Sequence, residues 1–268
     1  MDGSTHSPPP VTTAVILAAG LGSRLHPVWD AAPKALLPLG NQPIIERSIQ
    51  QLLRHGVTEI VLVTGYQAAQ FAVLAARYPA IKTVHNPHYA ASGSMYSLYC
   101  ARHLLPGAFL LLECDLIYED RALSALLACP HASALVVTEL SGGGDEVLVE
   151  AEGQRLKRTS KQRATLATIA GEQIGISKIS PQLFQSMTAY AEDVFRSNLD
   201  LEYYSDCLNA VADAVSIFCC TVPELIWAEI DDGAQWQRAR EVVFPRLLAA
   251  SPQPFARQEP AARKECRE

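Results

Sequence analysis

No Cys-x-x-Cys pair, no His/Cys cluster at zinc-ligand spacing and no Gly-Lys-Ser or Gly-Lys-Thr triplet occurs in the 268 residues. Those absences argue against a structural zinc site, a dithiol redox motif and a Walker-type phosphate loop. The seven cysteines are an odd number at irregular spacing, which suits reduced thiols, so a cytoplasmic location is expected. Basic residues are in deficit, 22 Lys and Arg against 28 Asp and Glu, for a net charge of −6. A non-specific nucleic-acid binder needs a basic footprint to displace counterions, so no nucleic acid is expected as a partner. No apolar stretch approaches the roughly eighteen residues of a membrane span, and residues 1–12 carry no signal-like run, so no membrane is expected either.

What is present is enough apolar material, 49% of residues, to bury one substantial core, or one core with a subordinate lobe. Residues 13–19 (TAVILAA) form a continuous apolar run, the mark of a parallel strand covered on both faces. A glycine-rich turn follows. Then come a helix over 43–55, a strand over 59–65, a helix over 67–77 and a strand over 81–85. The alternation continues with a helix over 94–105, a strand over 108–115, a helix over 120–128 and a strand over 133–139. Such alternation predicts an α/β fold, a doubly wound, mostly parallel sheet. After SGGGD at 141–145 the pattern changes to short alternating strands near 147–151, 155–159 and 173–179, with helices around 181–197 and 202–213. This part, about 141–215, is expected to form a lid or acceptor subregion over the sheet. A strand at 225–231 and a helix at 233–247 close a domain over 13–248, between an unstructured leader (1–12) and a flexible tail (249–268).

In an open parallel sheet, ligands sit beyond the carboxyl ends of the strands, and the first such loop is the usual phosphate cradle. Gly20 and Gly22 lie there, and without a Cβ they let backbone N–H groups approach phosphate oxygens. Arg24 and Lys34 add two positive charges that can follow a triphosphate as charge moves onto its leaving half. The dinucleotide pattern G-x-G-x-x-G fails at its third glycine, which is Leu25. The remaining pattern, Leu-Ala-Ala-Gly-x-Gly-x-Arg with Pro33-Lys34 downstream, resembles the signature of the nucleotidyltransferases that attach a nucleoside monophosphate to sugar phosphates, phosphocholine and related acceptors. The resemblance runs from Val11 to about Leu248 and implies a Rossmann-like nucleotidyltransferase fold, with Leu17, Ala18, Ala19, Gly20 and Gly22 on the nucleotide. It further implies that Asp115, in LLLECDLIYE, and Asp231, in WAEIDD, bind Mg²⁺, an ion that prefers hard oxygen ligands and a triphosphate. An acid after a strand also serves as a helix cap or turn residue, and Asp232 competes with Asp231.

The stretch NPHYAASGSMYSLYCA at 86–101 is similar to the base and ribose pocket of the phosphocholine-type branch, which implies Tyr89, Ser94 and Ser97 as nucleotide contacts. Ser94 can equally cap its helix, and Tyr96 and Tyr99 can be core. SMYSLYCAR, LLLECDLIYED and WAEIDD resemble the phosphocholine and 2-aminoethylphosphonate cytidylyltransferases alike, and GDEVLVEAEGQRLKRTSKQ and AGEQIGISKIS resemble especially the latter, where a Ser-Lys such as Ser160-Lys161 stands near the acceptor. Lys161 is otherwise a surface residue of a basic hairpin with Lys157, Arg158 and Arg163. Residues 139–183 contain no Trp, Tyr or Phe, whereas a quaternary ammonium wants an aromatic cage. Asp145, Glu146 and Asp206 are therefore the candidates for holding a primary amine, with Tyr203 and Tyr204 as possible walls and Glu229 as a further acceptor-binding residue.

Together these readings predict a Mg²⁺-dependent transfer of CMP from CTP to a small phosphonate or phosphate-ester acceptor, with 2-aminoethylphosphonate ahead of phosphocholine. A sugar-1-phosphate enzyme and a non-catalytic nucleotide sensor are the other readings, and a homodimer is left open. The reaction needs no protein nucleophile, because an anionic acceptor oxygen attacks the α-phosphorus directly. Lys34→Ala and Asp115→Ala are expected to fold normally and lose turnover.

Overall fold

The computed structural model describes residues 10–25, 29 and 32–250. The expected leader and tail lie outside the described residues, except at 10–12 and 249–250. The chain runs β1 (Thr13–Ala18), β2 (Pro38–Leu39), β3 (Gln42–Pro43), α1 (Ile44–Arg54), β4 (Glu59–Thr64), α2 (Ala72–Arg77), β5 (Ile81–His85), α3 (Ser94–Cys100) and β6 (Phe109–Glu113). It continues through β7 (Leu116–Tyr118), α4 (Arg121–Ala128), β8 (Ala134–Thr138), β9 (Val147–Glu152), β10 (Arg155–Ser160), β11 (Gly171–Ile179) and α5 (Pro181–Val194). It ends with α6 (Leu208–Val211), β12 (Phe218–Thr221), β13 (Trp227–Glu229), α7 (Gly233–Arg238) and α8 (Phe244–Ala250).

Nine strands form the main sheet in the order β5-β4-β1-β6-β11-β8-β12-β10-β9. From β5 to β6 it is parallel, with Thr13 opposite both Glu59 and Phe109, so the apolar run of β1 lies at its centre. Helix boundaries follow local chemistry. Ser180 accepts a hydrogen bond from the Leu183 N–H and precedes Pro181 at the first turn of α5. Gly56, at φ +82°, takes the chain out of α1 in a conformation that side chains resist.

Two features depart from expectation. The stretch from 141 does not lie over the sheet as a lid; β9, β10 and β11 join it, and β11 separates β6 from β8 while running antiparallel to both. All nine residues of β11 are buried. Its polar members made it look like a strand with one solvated face, but Lys178 donates to the Cys129 carbonyl at 2.6 Å and Glu172 accepts from the Ser141 N–H at 2.7 Å. Buried polar groups of this kind persist because they are hydrogen-bonded. Strand β12 was not among the expected elements; it runs parallel to β8.

Alternate residues of the sheet feed two cores. Val15, Leu111 and Leu135 pack with Met95, Leu183 and Tyr203 on one face, and Ile16, Leu110 and Val136 pack with Ile49, Phe71 and Leu123 on the other. A third cluster joins Leu25, Leu37 and Leu39 to Ile117, Ile230, Ala239 and Val243. Burying each such aliphatic side chain contributes about 1.5–3 kcal/mol, and this cluster clamps the segment carrying Arg24 and Lys34 against the C-terminal strand and helices.

Candidate active site

Beyond the end of β1 the chain turns through Gly20 and Gly22. Gly22 has φ +62°, and a Cβ there would stand 3.2 Å from the Lys34 Cβ, so both conformation and space favour glycine. The Leu25 N–H closes the next turn on the Gly22 carbonyl at 2.9 Å. Leu25 is buried in the third cluster, which leaves Arg24 on the opposite, partly exposed side. Lys34 opens a 3-10 turn directly after Pro33.

Two distant carboxylates meet Lys34 through a small second sheet. Strand β13 pairs antiparallel with β7, Glu229 opposite Leu116, and the Ile230 N–H donates to the Asp115 carbonyl at 3.1 Å. Asp115, just before β7, and Asp231, just after β13, are thereby set side by side. The Lys34 ammonium pairs with Asp115 Oδ2 and, at 2.5 Å, with Asp231 Oδ1. Arg24 reaches Asp231 Oδ2 at 2.7 Å and Asp145 at 4.0 Å. Asp232 is spoken for elsewhere, since its carboxylate caps α7 by accepting the Gln235 N–H at 2.8 Å.

The electrostatics follow from this crowding. Burial alone would lower the Lys34 pKa, but Asp115 and Asp231 outweigh it and hold the ammonium charged well above its ordinary range. Burial would raise the Asp231 pKa, yet Lys34 and Arg24 bring it down. Burial and then the neighbouring carboxylates push Glu229 and Glu113 upward. Two overlapping trios, Glu113–Asp115–Glu229 and Asp145–Glu229–Asp231, each bring carboxylate oxygens within 4.8 Å of one another. Asp115 Oδ1 is buried and has no hydrogen-bond partner. Such a donor set matches a hard divalent cation.

A second wall adjoins this cluster. Gly65 sits so close to the loop after β1 that a Cβ would lie 2.5 Å from the Tyr89 Cβ and 2.6 Å from the Ala19 carbonyl oxygen. The Tyr66 N–H donates to the same carbonyl at 3.0 Å. Tyr89 is thus set beside Ala19 and packs against the core that also holds Leu17, whereas Ala18 points into the opposite core. Ser97 accepts from the fully buried Asn86 side chain at 3.0 Å. Ser94 is the first residue of α3 rather than its cap; the N-cap is Gly93, and the Ser94 N–H donates to the Glu202 carboxylate at 3.4 Å. The Ser94 hydroxyl binds the same carboxylate and accepts the Tyr203 N–H at 3.0 Å, tying α3 to the 202–207 segment.

Lys161 lies with its ammonium 5.8 Å from the centre of the Tyr204 ring, and its charge acts on Asp231. Paired bonds at 2.8 Å between Thr159 and Asn209 fix the strand that leads to it. Two expected amine-binding acids are placed differently. Glu146 folds back on its own loop, accepting the Gly144 N–H at 3.1 Å, and Asp206 closes the turn at 202–206 by accepting the Glu202 N–H at 2.8 Å. Their lone pairs serve loop structure rather than the cluster.

Sequence reasoning gave Glu113 and Gln235 no role and took Tyr203 only as a possible wall beside Tyr204. The Tyr203 hydroxyl donates to Glu113 at 2.9 Å, and Gln235 bridges Asp145, at 3.0 Å, to the Asp231 N–H, at 2.6 Å. The one available signal was Glu113 itself, an acid two residues before Asp115 in an otherwise apolar strand.

Residues 14–193 match the MobA-like NTP transferase domain family. The chain is 40% identical over 110 residues to the 2-aminoethylphosphonate cytidylyltransferase of Lancefieldella rimae, across 41% of this chain and 45% of that protein. It is 38% identical over 98 residues to the choline-phosphate cytidylyltransferase of Streptococcus pneumoniae, across 37% and 42%. The matched region thus spans less than half the length of these relatives. Among solved structures, the inositol-1-phosphate CTP transferase from T. maritima aligns with a TM-score of 0.76 at 18% identity, over 90% of this chain and 98% of that one. The CTP:phosphocholine cytidylyltransferase from Streptococcus pneumoniae aligns at 0.72 and 21% identity, over 87% and 99%. These structures share the Rossmann-like nucleotidyltransferase fold with this chain.

Proposed function

This chain belongs to the MobA-like NTP transferase domain family, and we propose that it transfers CMP from CTP to a small aminoalkylphosphonate such as 2-aminoethylphosphonate, releasing pyrophosphate. The observation that carries the reading is Lys34 held between Asp115 and Asp231, with Arg24 on Asp231, at the mouth of the glycine turn. Two cations and two carboxylates beside a bare backbone loop suit a polyphosphate and the divalent ion it travels with. The likeness to a 2-aminoethylphosphonate cytidylyltransferase supports cytidine and the phosphonate.

In the proposed step an anionic oxygen of the acceptor attacks the α-phosphorus of CTP. A new P–O bond forms, the bond from the α-phosphorus to the bridging oxygen breaks, and its electron pair leaves with pyrophosphate. The attacking oxygen arrives deprotonated, so no general base is needed. The glycine turn offers backbone N–H groups to the phosphates, and Arg24 and Lys34, paired with carboxylates here, turn toward the charge growing on the leaving group. Lys161 binds the acceptor phosphonate as a point charge. Asp115 and Asp231 would hold Mg²⁺; the buried, unpartnered Asp115 Oδ1 fits such an ion. When bound, the ion supplies charge neutralisation and Lewis acidity at the phosphates.

Phosphocholine is the second reading, favoured by the similarity to a choline-phosphate cytidylyltransferase. Pyrophosphate release measured with CTP or UTP, and with 2-aminoethylphosphonate or phosphocholine, separates the two. Turnover with CTP and 2-aminoethylphosphonate is expected to dominate; faster turnover with phosphocholine overturns the acceptor, and no release with any pair overturns the reaction.

A further inference from the structure

Helix α1 meets β7 and α8 around a small cavity that shares no residue with the Lys34 cluster. Arg47, Ser48, Gln51 and Arg54 face it from α1, a spacing that keeps them on one side of the helix. Tyr118, at the end of β7, and Phe244, at the start of α8, close it. Its volume of about 40 Å³ gives room for about three waters, or for one tetrahedral oxyanion of similar bulk.

Three of these side chains are more than nine-tenths buried and still keep a polar atom without a hydrogen-bond partner. They are Ser48 Oγ, Tyr118 OH and Gln51 Oε1, in residues 1%, 3% and 7% exposed. Burial pushes the Tyr118 hydroxyl upward, and Ser48 lies near enough to act against that push, yet neither hydroxyl has a partner in hydrogen-bonding geometry. The Gln51 amide nitrogen donates to the Tyr118 carbonyl at 3.0 Å, which fixes the sense of the amide and leaves Oε1 as a pure acceptor. Unmet groups of this kind are costly, and three around one cavity call for a guest with both donors and acceptors. Charge narrows the choice. The Arg47 guanidinium lies 4.3 Å from the centre of the Phe244 ring and donates to the Leu39 carbonyl at 2.8 Å. Burial pulls it down to about 10, with Glu46 acting in the opposite sense. The acids of the lining are already matched, Glu119 by Arg121 at 2.6 Å and Asp120 by Arg54 at 3.7 Å.

We infer that this cavity binds a tetrahedral oxyanion that carries a hydrogen, of the class of monohydrogen phosphate. Arg47 supplies the opposite charge, the Ser48 and Tyr118 hydroxyls donate to oxygens of the anion, and its P–O–H group donates to Gln51 Oε1. Sulfate has no hydrogen at neutral pH and sets an acceptor against Gln51, so it is the poorer guest. Held there, the anion ties α1 to β7, the strand that begins one residue after Asp115. The inference stands apart from cytidylyl transfer and survives or fails without it.

The test is thermal denaturation of the full chain in chelator, with phosphate, sulfate or chloride at matched ionic strength. Phosphate at about 10-fold over its dissociation constant from titration calorimetry should raise the wild-type Tm by about 3–6 °C. Sulfate should give less than about half of that rise. Tyr118→Phe and Ser48→Ala should lose most of it. Without phosphate, Tyr118→Phe should melt no lower than the wild type, because it discards a buried hydroxyl that has no partner. Arg24→Ala, altered only at the glycine turn, should keep the rise. No rise in the wild type overturns the inference, as does an equal rise with sulfate, and neither result needs a variant to fold. A rise kept by Tyr118→Phe and Ser48→Ala, or lost in Arg24→Ala, puts the anion outside this cavity and overturns it as well.

Discussion

Replacing Lys34 by methionine tests the centre of the site. The methionine keeps most of the apolar stem and removes the charge that faces Asp115 and Asp231. These side chains are 15%, 7% and 9% exposed, so solvent screens them little. Removing one partner of a buried pair costs about 3–5 kcal/mol, because the remaining charge stays behind unpaired. Arg24 still neutralises Asp231 at 2.7 Å, so the loss centres on Asp115 and the lower figure, about 3 kcal/mol, is expected. The lysine is thus a structural counterion as well as a candidate phosphate ligand. Chemical denaturation in chelator should show the loss, and Mg²⁺ should restore more stability to the variant than it adds to the wild type. Turnover should fall by roughly two to three orders of magnitude, about 3–4 kcal/mol of barrier. A variant as stable and as active as the wild type would refute both the pairing and the role.

Other expectations follow from particular contacts. Asp115→Asn keeps the shape but loses a hard anionic ligand, so turnover should fall at least about 100-fold at saturating CTP, with a higher Mg²⁺ requirement in a titration of initial rates. Gly65→Ala drives a methyl against Tyr89 and the Ala19 carbonyl; a loss of about 1–3 kcal/mol in stability and weaker CTP binding by calorimetry are expected. Burial pushes the Glu172 carboxyl up to about 7, so the folded chain holds a proton that the unfolded chain has already released. Its contribution lowers stability as pH rises from about 4.5 to about 7. Glu172→Gln should therefore gain on the wild type by up to about 3 kcal/mol between pH 5 and pH 8. An unchanged difference at the two pH values would contradict this.

The parallel half of the sheet was legible because β1, β4 and β6 are buried on both faces, and a short continuous apolar run flanked by turn residues suits a doubly covered strand better than any amphipathic element. The phosphate loop was legible because Gly20, Gly22, Arg24 and Lys34 stand in one stretch with diagnostic spacing. The 141–179 region was misjudged for a physical reason. In β11, Gln173, Gly175 and Ser177 alternate with isoleucines and imitate a solvated face, while Glu172 and Lys178 find their partners, Ser141 and the Cys129 carbonyl, far away in sequence. Glu146 and Asp206 misled in the opposite sense. Glu146 lies in a loop and Asp206 in the π-helical turn Tyr203–Cys207, and the nearest N–H groups claim them.

Composition and local pattern alone thus determined the alternating α/β scaffold, the loop after its first strand and the residue types suited to a polyphosphate, since each depends on neighbours within a few positions. Only tertiary structure decided that Asp115 and Asp231 share one lysine and that Glu113 faces Gly175 and Tyr203. Those outcomes hang on the pairing of β7 with β13 and on the bulge in β11, contacts between segments as much as about 110 residues apart whose register no local preference encodes.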